Sequence, residues 1–323
     1  MRAAVLHSPG QPPVFDDHPT PTPEPGRTLV RVTAAPLVPL DLLCASGTSY
    51  FGRPRTPYVP GVQGVGAVEQ SGSLAEGTRV WFATSAGMAP GDGSLAGLCS
   101  VADVDVVPLE ADVGDPVAAA IGLSGVAAWM ALSWRGALQP GETVLVLGGG
   151  GAVGQAGIGA ARALGAGRVV AVARSEEAQR RASDAGAHVV VPLGADVDDL
   201  TTRLASATGG GAAVVLDPVF GIGATAASRV LAPGGRLVNL GGAAADEATF
   251  SSAVLRGRSA SVLGYTNNAL TPQQRRDALT AVLDLAAAGD LGVAHETHPL
   301  AEVEGLWRRQ ADGRAGTRLV LLP

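Results

Sequence analysis

Cysteine is nearly absent: Cys44 and Cys99 are the only two in 323 residues, and they form no CxxC arrangement. Two well-separated thiols do not make a disulfide scaffold, and they read as reduced, buried and cytosolic. Aromatic residues make up only 4% of the chain. Its interior must therefore be filled by small and β-branched side chains, with backbones packed closely through many of the 45 glycines. Charged residues are also sparse, at 16% against 46% hydrophobic, which is the profile of a globular chain with a large core and not of a disordered one. The net charge is −6, and no run of five or six like charges occurs; the nearest approach is Arg308-Arg309. Nucleic acid is not expected as a partner, because phosphate binding needs concentrated cations. No window holds 18 consecutive apolar residues, since the Gly/Ala-rich stretch after Leu147 is interrupted by Gln155 and Arg162. No membrane span is expected. The N-terminal run 1–6 (MRAAVL) turns polar at His7 and meets Pro9-Gly10, too soon for a signal-peptide core, so a cytoplasmic protein is expected.

What is present has two textures. Residues 1 to about 115 carry short β-type runs at 2–6, 28–33, 64–69, 79–83 and 105–108, separated by Pro- and Gly-rich spacers. Such spacing predicts a mostly β domain. From Asp115 the pattern changes. A helix is expected over 116–138, capped by Asp115 with Pro116 at its first position. Strand candidates then follow at 143–147, 168–174, 188–193, 212–217, 236–240 and 259–265, with helical segments such as 176–185 and 223–231 between them. Alternation of this kind predicts a doubly wound, mainly parallel sheet, and the continuously apolar strands fit a sheet covered on both faces. A helix over 272–288, capped by Thr271, and a strand over 317–322 end the chain; the strand's β character suits the first domain.

The sequence Gly149-Gly150-Gly151-Ala152-Val153-Gly154 fits G-x-G-x-x-G. In a chain this rich in glycine about one accidental match is expected, so only the setting gives it meaning. It follows the apolar run 143–147, opens a helix of about 13 residues and leads to a second strand, a unit of roughly 30 residues. Gly149 then permits the tight turn, Gly151 removes the Cβ that would block a pyrophosphate, and Gly154 lets the helix pack on the strand. Free N–H groups at the helix start, those of Ala152 and Val153 among them, would bind the phosphates. At the end of the second strand, about 20 residues after Gly154, an NAD-binding unit places Asp or Glu for the ribose 2′-hydroxyl. This chain has Arg174-Ser175 there. A carboxylate would repel a 2′-phosphate, whereas Arg and Ser can bind it, so NADP(H) is the expected cofactor.

With these residues in place, the chain resembles the zinc-independent quinone oxidoreductases of the medium-chain dehydrogenase/reductase superfamily. The likeness rests on residues 36–41 (PLVPLD), 60–68 (PGVQGVGAV), 122–130 (GLSGVAAWM), the dinucleotide turn, 216–221 (LDPVFG), 232–242 (APGGRLVNLGG) and 317–323 (TRLVLLP). It implies a Rossmann doubly wound parallel sheet over 118–266 and a mostly β, GroES-like catalytic domain made of 1–117 and 267–323. Zinc-dependent relatives carry a Cys three residues before an Asp, and a His in a GHE motif. Here Val38 stands before Asp41 and Val62 lies in GVQG, so no metal is expected. His295 and His298 form a lone HxxH without a third ligand and read as surface histidines. Most quinone reductases have Asn at the position of Val38, beside the nicotinamide, and many have Tyr at that of Leu193. Both departures bear on the acceptor and not on the cofactor fold.

The resemblance places Ser124, Asp217, Leu240, Gly241, Gly242 and Tyr265 around the cofactor. Asp41 is either a buried Asp satisfying a turn or a chemical group. No general acid stands out; Asp41, Tyr50 and Ser124 are the catalytic candidates, with Tyr58 and Tyr265 as further phenols. The expected reaction is hydride transfer from NADPH to a quinone or an activated C=C bond. Two alternatives share the fold: an enoyl-thioester reductase or biosynthetic tailoring reductase, and a non-catalytic NADPH-binding protein acting structurally or on RNA. The acidic balance weighs against the RNA role. By analogy with the family a small-molecule substrate and a homodimer are expected, with the 259–265 strand as the candidate sheet edge.

Overall fold

The Pro- and Gly-punctuated first third does form short strands. In the computed structural model, which describes Met1–Pro323, these are β1 (Arg2–Val5), β2 (Val14–Asp17), β3 (Arg27–Leu37), β4 (Gln63–Gln70), β5 (Arg79–Ala83), β6 (Leu98–Ala102) and β7 (Val106–Pro108). One short helix, α1 (Pro39–Ser46), interrupts them after β3. Pro39 sits at its first position, the Asp41 carboxylate reaches back to the Val38 N–H, and Gly47 ends it in the left-handed conformation at φ 78°.

Helix α2 (Asp115–Met130) continues as a π-helical segment, Ala131–Arg135, and stops there, short of the expected 138. Asp115 is inside the helix and pairs with Arg79. The helix is broken at Gly122, whose φ 17° and ψ −123° are not helical. A Cβ at Gly122 would lie 1.9 Å from Gln63 Oε1, so only glycine fits. By length and hydropathy Asp115–Arg135 could cross a membrane, but 72% of its most apolar window is buried inside the protein, as in a core helix.

Strands and helices then alternate: β8 (Thr143–Leu147), α3 (Ala152–Ala163), β9 (Arg168–Ala173), α4 (Glu176–Asp184), β10 (Val189–Pro192), α5 (Val197–Thr208), β11 (Ala212–Asp217), α6 (Gly221–Arg229), β12 (Leu231–Asn239), α7 (Ser252–Arg258), β13 (Ser261–Gly264) and α8 (Pro272–Ala287). All six strands are parallel, in the spatial order β10-β9-β8-β11-β12-β13. Counted from β8, that is the 3-2-1-4-5-6 order of a Rossmann sheet, with its topological switch point between β8 and β11. Val144, Leu145, Val146 and Leu147 are all fully buried, as a strand covered by helices on both faces must be. β13 is one edge of the sheet, as expected, and β10 the other.

The chain ends with β14 (His295–Pro299), α9 (Val303–Ala311) and β15 (Arg318–Leu322). β15 pairs antiparallel with β3, giving the order β14-β15-β3-β4-β5-β7 with β6 also on β3. Two compact units result: Met1–Gly122 with Ala294–Pro323, and Leu123–Val293. The second crossing therefore falls some way beyond the expected residue 267. The reason is packing: α8 buries Leu279, Val282 and Leu283, and the following turn lies against α3, where a Cβ on Gly159 would meet Asp290 and Leu291 at 3.0–3.2 Å.

Candidate cofactor site

The glycine-rich turn joins β8 to α3. Its left-handed residue is Gly148, at φ 63°, and not Gly149, to which the motif points. Gly149 serves a packing need instead: a Cβ there would lie 2.8 Å from that of Ala171 on β9. The geometry at the other two glycines matches the motif. A Cβ on Gly151 would touch only Gly148 O, at 3.4 Å, which leaves open space above it, whereas one on Gly154 would sit 2.2 Å from the same oxygen. Gly151 is the N-cap of α3 and no side chain caps that helix. The first N–H groups, including those of Ala152 and Val153, are thus free for an anion, with the positive end of the helix dipole behind them.

Two side chains that the motif does not reveal hold this turn. Gln155 Nε2 and Arg181 Nε both donate to Gly150 O, each at 3.0 Å. They hold that carbonyl in place, while the Gly149 and Gly151 N–H groups donate to Val172 O and Gly148 O, so the N–H groups left for an anion are those at the start of α3. No short-range pattern marks them; Arg181 acts from the next helix.

At the end of β9, Arg174 is exposed and its guanidinium makes no ion pair or hydrogen bond. Ser175 caps α4, its Oγ accepting from the Ala178 N–H at 3.2 Å. Of the two acidic residues that follow, Glu177 is paired with Arg181 at 2.7 Å. The cation nearest the strand end is therefore free, and one neighbouring carboxylate is already neutralised.

Across the switch point, Asp217 ends β11 fully buried. Its Oδ1 accepts from the N–H groups of Val219 (3.1 Å) and Phe220 (2.7 Å), and its Oδ2 from Asn239 Nδ2 (3.4 Å). Burial pushes its carboxyl pKa up against these bonds. The side chain thus shapes its own 218–220 turn and presents nothing outward. That turn holds Phe220 at φ 61° and ψ −155°, a region costly for any residue but glycine. It is laced to the next loop: Leu240 N–H donates to Asp217 O, Ala244 N–H to Val219 O, and a Cβ on Gly241 would strike Pro218 O at 2.8 Å. Gly242 is exposed beside them, and Tyr265 N–H donates to Asn239 O at 2.9 Å. Ser124 is buried, two residues after the break in α2.

In the first unit, Asp41 is 1% exposed and accepts from the N–H groups of Val38 (2.8 Å) and Val62 (2.9 Å). Burial pushes its pKa up to about 6, while those bonds and the Arg318 guanidinium pull it down. Arg318, also buried and lowered to about 10, donates from its Nη1 to Leu37 O. The Val38 and Val62 side chains are buried, and no three His, Cys, Asp or Glu side chains gather where they could hold a metal ion. His298 sits between Glu296 and Glu302. Tyr58 is buried, with its hydroxyl pushed up by burial and by Asp41 and Cys44. Tyr50 is 79% exposed and stacks on Phe51 with ring centroids 4.1 Å apart. Asp41 and Tyr50 thus lie in contrasting surroundings.

Comparison with known proteins matches residues 24–128 to the alcohol dehydrogenase GroES-like domain and 152–287 to the zinc-binding dehydrogenase domain. The quinone oxidoreductase of Lama guanicoe is 30% identical over 249 residues, covering 75% of this chain and 73% of that one. A phenolphthiocerol/phthiocerol polyketide synthase polypeptide of Mycobacterium tuberculosis is 32% identical over 90% of this chain, and the match spans only 13% of that much longer protein. Among solved structures, a mycobacterial quinone oxidoreductase superposes with a TM-score of 0.88 at 26% identity over all of both chains. The quinone oxidoreductase from Thermus thermophilus, solved also with NADPH, gives 0.80 at 30% identity, again over all of both chains.

Proposed function

This chain belongs to the zinc-independent, quinone-oxidoreductase-like branch of the medium-chain dehydrogenase/reductase superfamily, and from that premise we propose that it transfers hydride from NADPH to an electron-poor acceptor, a quinone or an activated C=C bond. The observation that carries the cofactor reading is the unpaired Arg174 guanidinium, followed by the Ser175 hydroxyl, at the end of β9. No lysine occurs anywhere in the chain, so every side-chain cation available to a phosphate is an arginine, with its planar fork of donors. The uncapped start of α3 and the open space over Gly151 fit a pyrophosphate. Ser124, Leu240, Gly241, Gly242 and Tyr265 are assigned to the nicotinamide end.

Bound there, the dinucleotide supplies the hydride. The protein's part is to orient cofactor and acceptor and to hydrogen-bond the charge that develops on the acceptor oxygen. The test is a fluorescence titration with NADPH and NADH on the wild type and on Arg174→Ala. A charge-assisted hydrogen bond contributes roughly 1.5–3 kcal/mol, less at an exposed position, so the variant should weaken NADPH binding about tenfold and leave NADH unchanged. Equal affinity of the wild type for both cofactors refutes the NADPH assignment.

A second reading has specific support. The similarity to a polyketide synthase covers 90% of the chain, and buried valines stand at positions 38 and 62. The first favours an enoyl thioester as the acceptor, and the second leaves position 38 without the Asn that most quinone reductases carry. Assaying quinones, enones and enoyl thioesters side by side with NADPH decides between the two. Under either reading the enzyme acts in the cytoplasm as a homodimer, paired through the edge strand β13, where Val262 is 38% exposed. Light scattering on the purified protein checks the dimer.

A further inference from the structure

A chain of hydrogen bonds runs across the carboxyl ends of β11, β12 and β13. It starts at Asp217 Oδ2, which accepts from Asn239 Nδ2 at 3.4 Å. Asn239 O accepts from the Tyr265 N–H at 2.9 Å. The Tyr265 hydroxyl donates to Asn267 Oδ1 at 2.7 Å, and Asn267 Nδ2 donates to Leu123 O at 3.2 Å. The chain thus ends on the residue just before Ser124 and just after the break at Gly122.

We propose that Asn267 is a positioning residue: its amide ties the loop that follows β13 to the backbone ahead of Ser124 and holds the nicotinamide end of the site in working geometry. The inference rests on the reading of this chain as an NADPH-dependent reductase. Three features support it. The side chain at 267 must accept on one atom and donate on another, which an amide does and a carboxylate or an alkyl group does not. Burial pushes the Tyr265 hydroxyl pKa up, so the phenol stays a neutral donor across the working pH range. The loop is tied to the same helical stretch a second time, by Arg135 Nε donating to Gly264 O at 2.9 Å, and Trp134 packs edge-on against the Tyr265 ring at 6.4 Å. A loop fastened at both ends and backed by an indole transmits a displacement of Asn267 to the Leu123–Ser124 backbone.

The experiment compares wild type, Asn267→Ala, Asn267→Asp, Tyr265→Phe and the double variant Tyr265→Phe with Asn267→Ala in NADPH titrations and in steady-state reduction of a simple quinone, with NADPH and with NADPH deuterated at the transferred position. Loosened positioning should lower kcat about tenfold in both Asn267 variants, since sub-ångström displacement of reacting groups is costly. NADPH affinity should stay within about threefold, because the phosphate-binding turn is untouched. The isotope effect on kcat should rise as hydride transfer becomes limiting. Tyr265→Phe combined with Asn267→Ala should be no worse than Asn267→Ala alone, because the two act through one link. If Asn267→Ala does not fold, Asn267→Asp and Tyr265→Phe carry the same comparison. Unchanged kcat and isotope effect in the folded variants overturn the inference while leaving the reductase reading standing. A wild type that fails to bind NADPH overturns both.

Discussion

Replacing Asp41 by Asn gives a sharp test of how the first unit is held together. Burial raises the folded-state pKa from 3.8 to about 6. Between those values the folded protein keeps a proton that the unfolded chain has released, so stability falls as pH rises through this window. At about 1.4 kcal/mol per tenfold change in the proton equilibrium, the full effect is about 3 kcal/mol. Asn removes that titration but introduces a different fault. Asp41 accepts from two backbone N–H groups, those of Val38 and Val62, and an amide has one acceptor oxygen to offer them. One buried N–H then loses its partner, at about 1–3 kcal/mol. At pH 4, where the folded wild type is already protonated, Asp41→Asn should be less stable by that amount. On raising the pH to 7.5 the gap should shrink by about 2 kcal/mol, most of the full effect, and close or reverse. Urea unfolding of both proteins across this range reads the difference directly, and all other titrating groups cancel in it. A constant gap would mean that Asp41 titrates normally in the folded protein. A gap that widens with pH would mean that Arg318 outweighs burial, and either result refutes the reasoning.

Other perturbations have equally definite outcomes. Gly154→Ala places a Cβ 2.2 Å from Gly148 O, so α3 must shift off the turn; a loss of about 1–3 kcal/mol in stability and a collapse of NADPH affinity are expected by denaturation and fluorescence titration. Phe220→Gly removes backbone strain of about 1–3 kcal/mol along with the ring that packs on Phe250, whereas Phe220→Ala loses the ring and keeps the strain. The alanine variant should therefore melt below the glycine variant, the reverse of the order found at ordinary positions. Arg174→Ala should also flatten the salt dependence of NADPH binding, because an exposed cation–phosphate contact is screened by ions.

The parts of this fold that are legible in the sequence are those set by local pattern. The β8–turn–α3–β9 unit can be read because 143–147 is continuously apolar and glycines follow at the right distance. Which glycine turns left-handed cannot: four stand in a row from Gly148, and the choice depends on where β8 stops and on the Ala171 side chain beneath Gly149. The run 116–138 reads as one helix, because nothing distinguishes Gly122 from Gly125 and Gly136 in the same apolar run as the site of a kink. That Gly122 must be a glycine depends on Gln63, 59 positions away and hydrogen-bonded to Trp81. β14, with the sequence HETHP, lacks apolar alternation and reads as loop; it is a strand because β15 offers it an edge. Asp217 is recognisable as a strand end, but the direction of its carboxylate depends on the turn that follows. Asn267 lies 144 residues from its partner Leu123, beyond the reach of any motif.

These placements bear on where the proton that completes the proposed reduction comes from. Asp41 is enclosed, with both carboxylate oxygens engaged by backbone N–H groups, so it cannot exchange a proton with a substrate unless α1 and the Val62 loop separate. Its work is to join those two segments. Tyr58 is equally enclosed, and its raised pKa disfavours the phenolate that proton donation would leave behind. Tyr265 commits its only proton to Asn267. Of Asp41 and the three tyrosines, Tyr50, 79% exposed, is the most open to solvent. The proposed reduction needs none of these side chains when the acceptor's reduced form is stable enough to take its proton from water. Quinones and enones meet that condition, and so do enoyl thioesters; unactivated ketones do not.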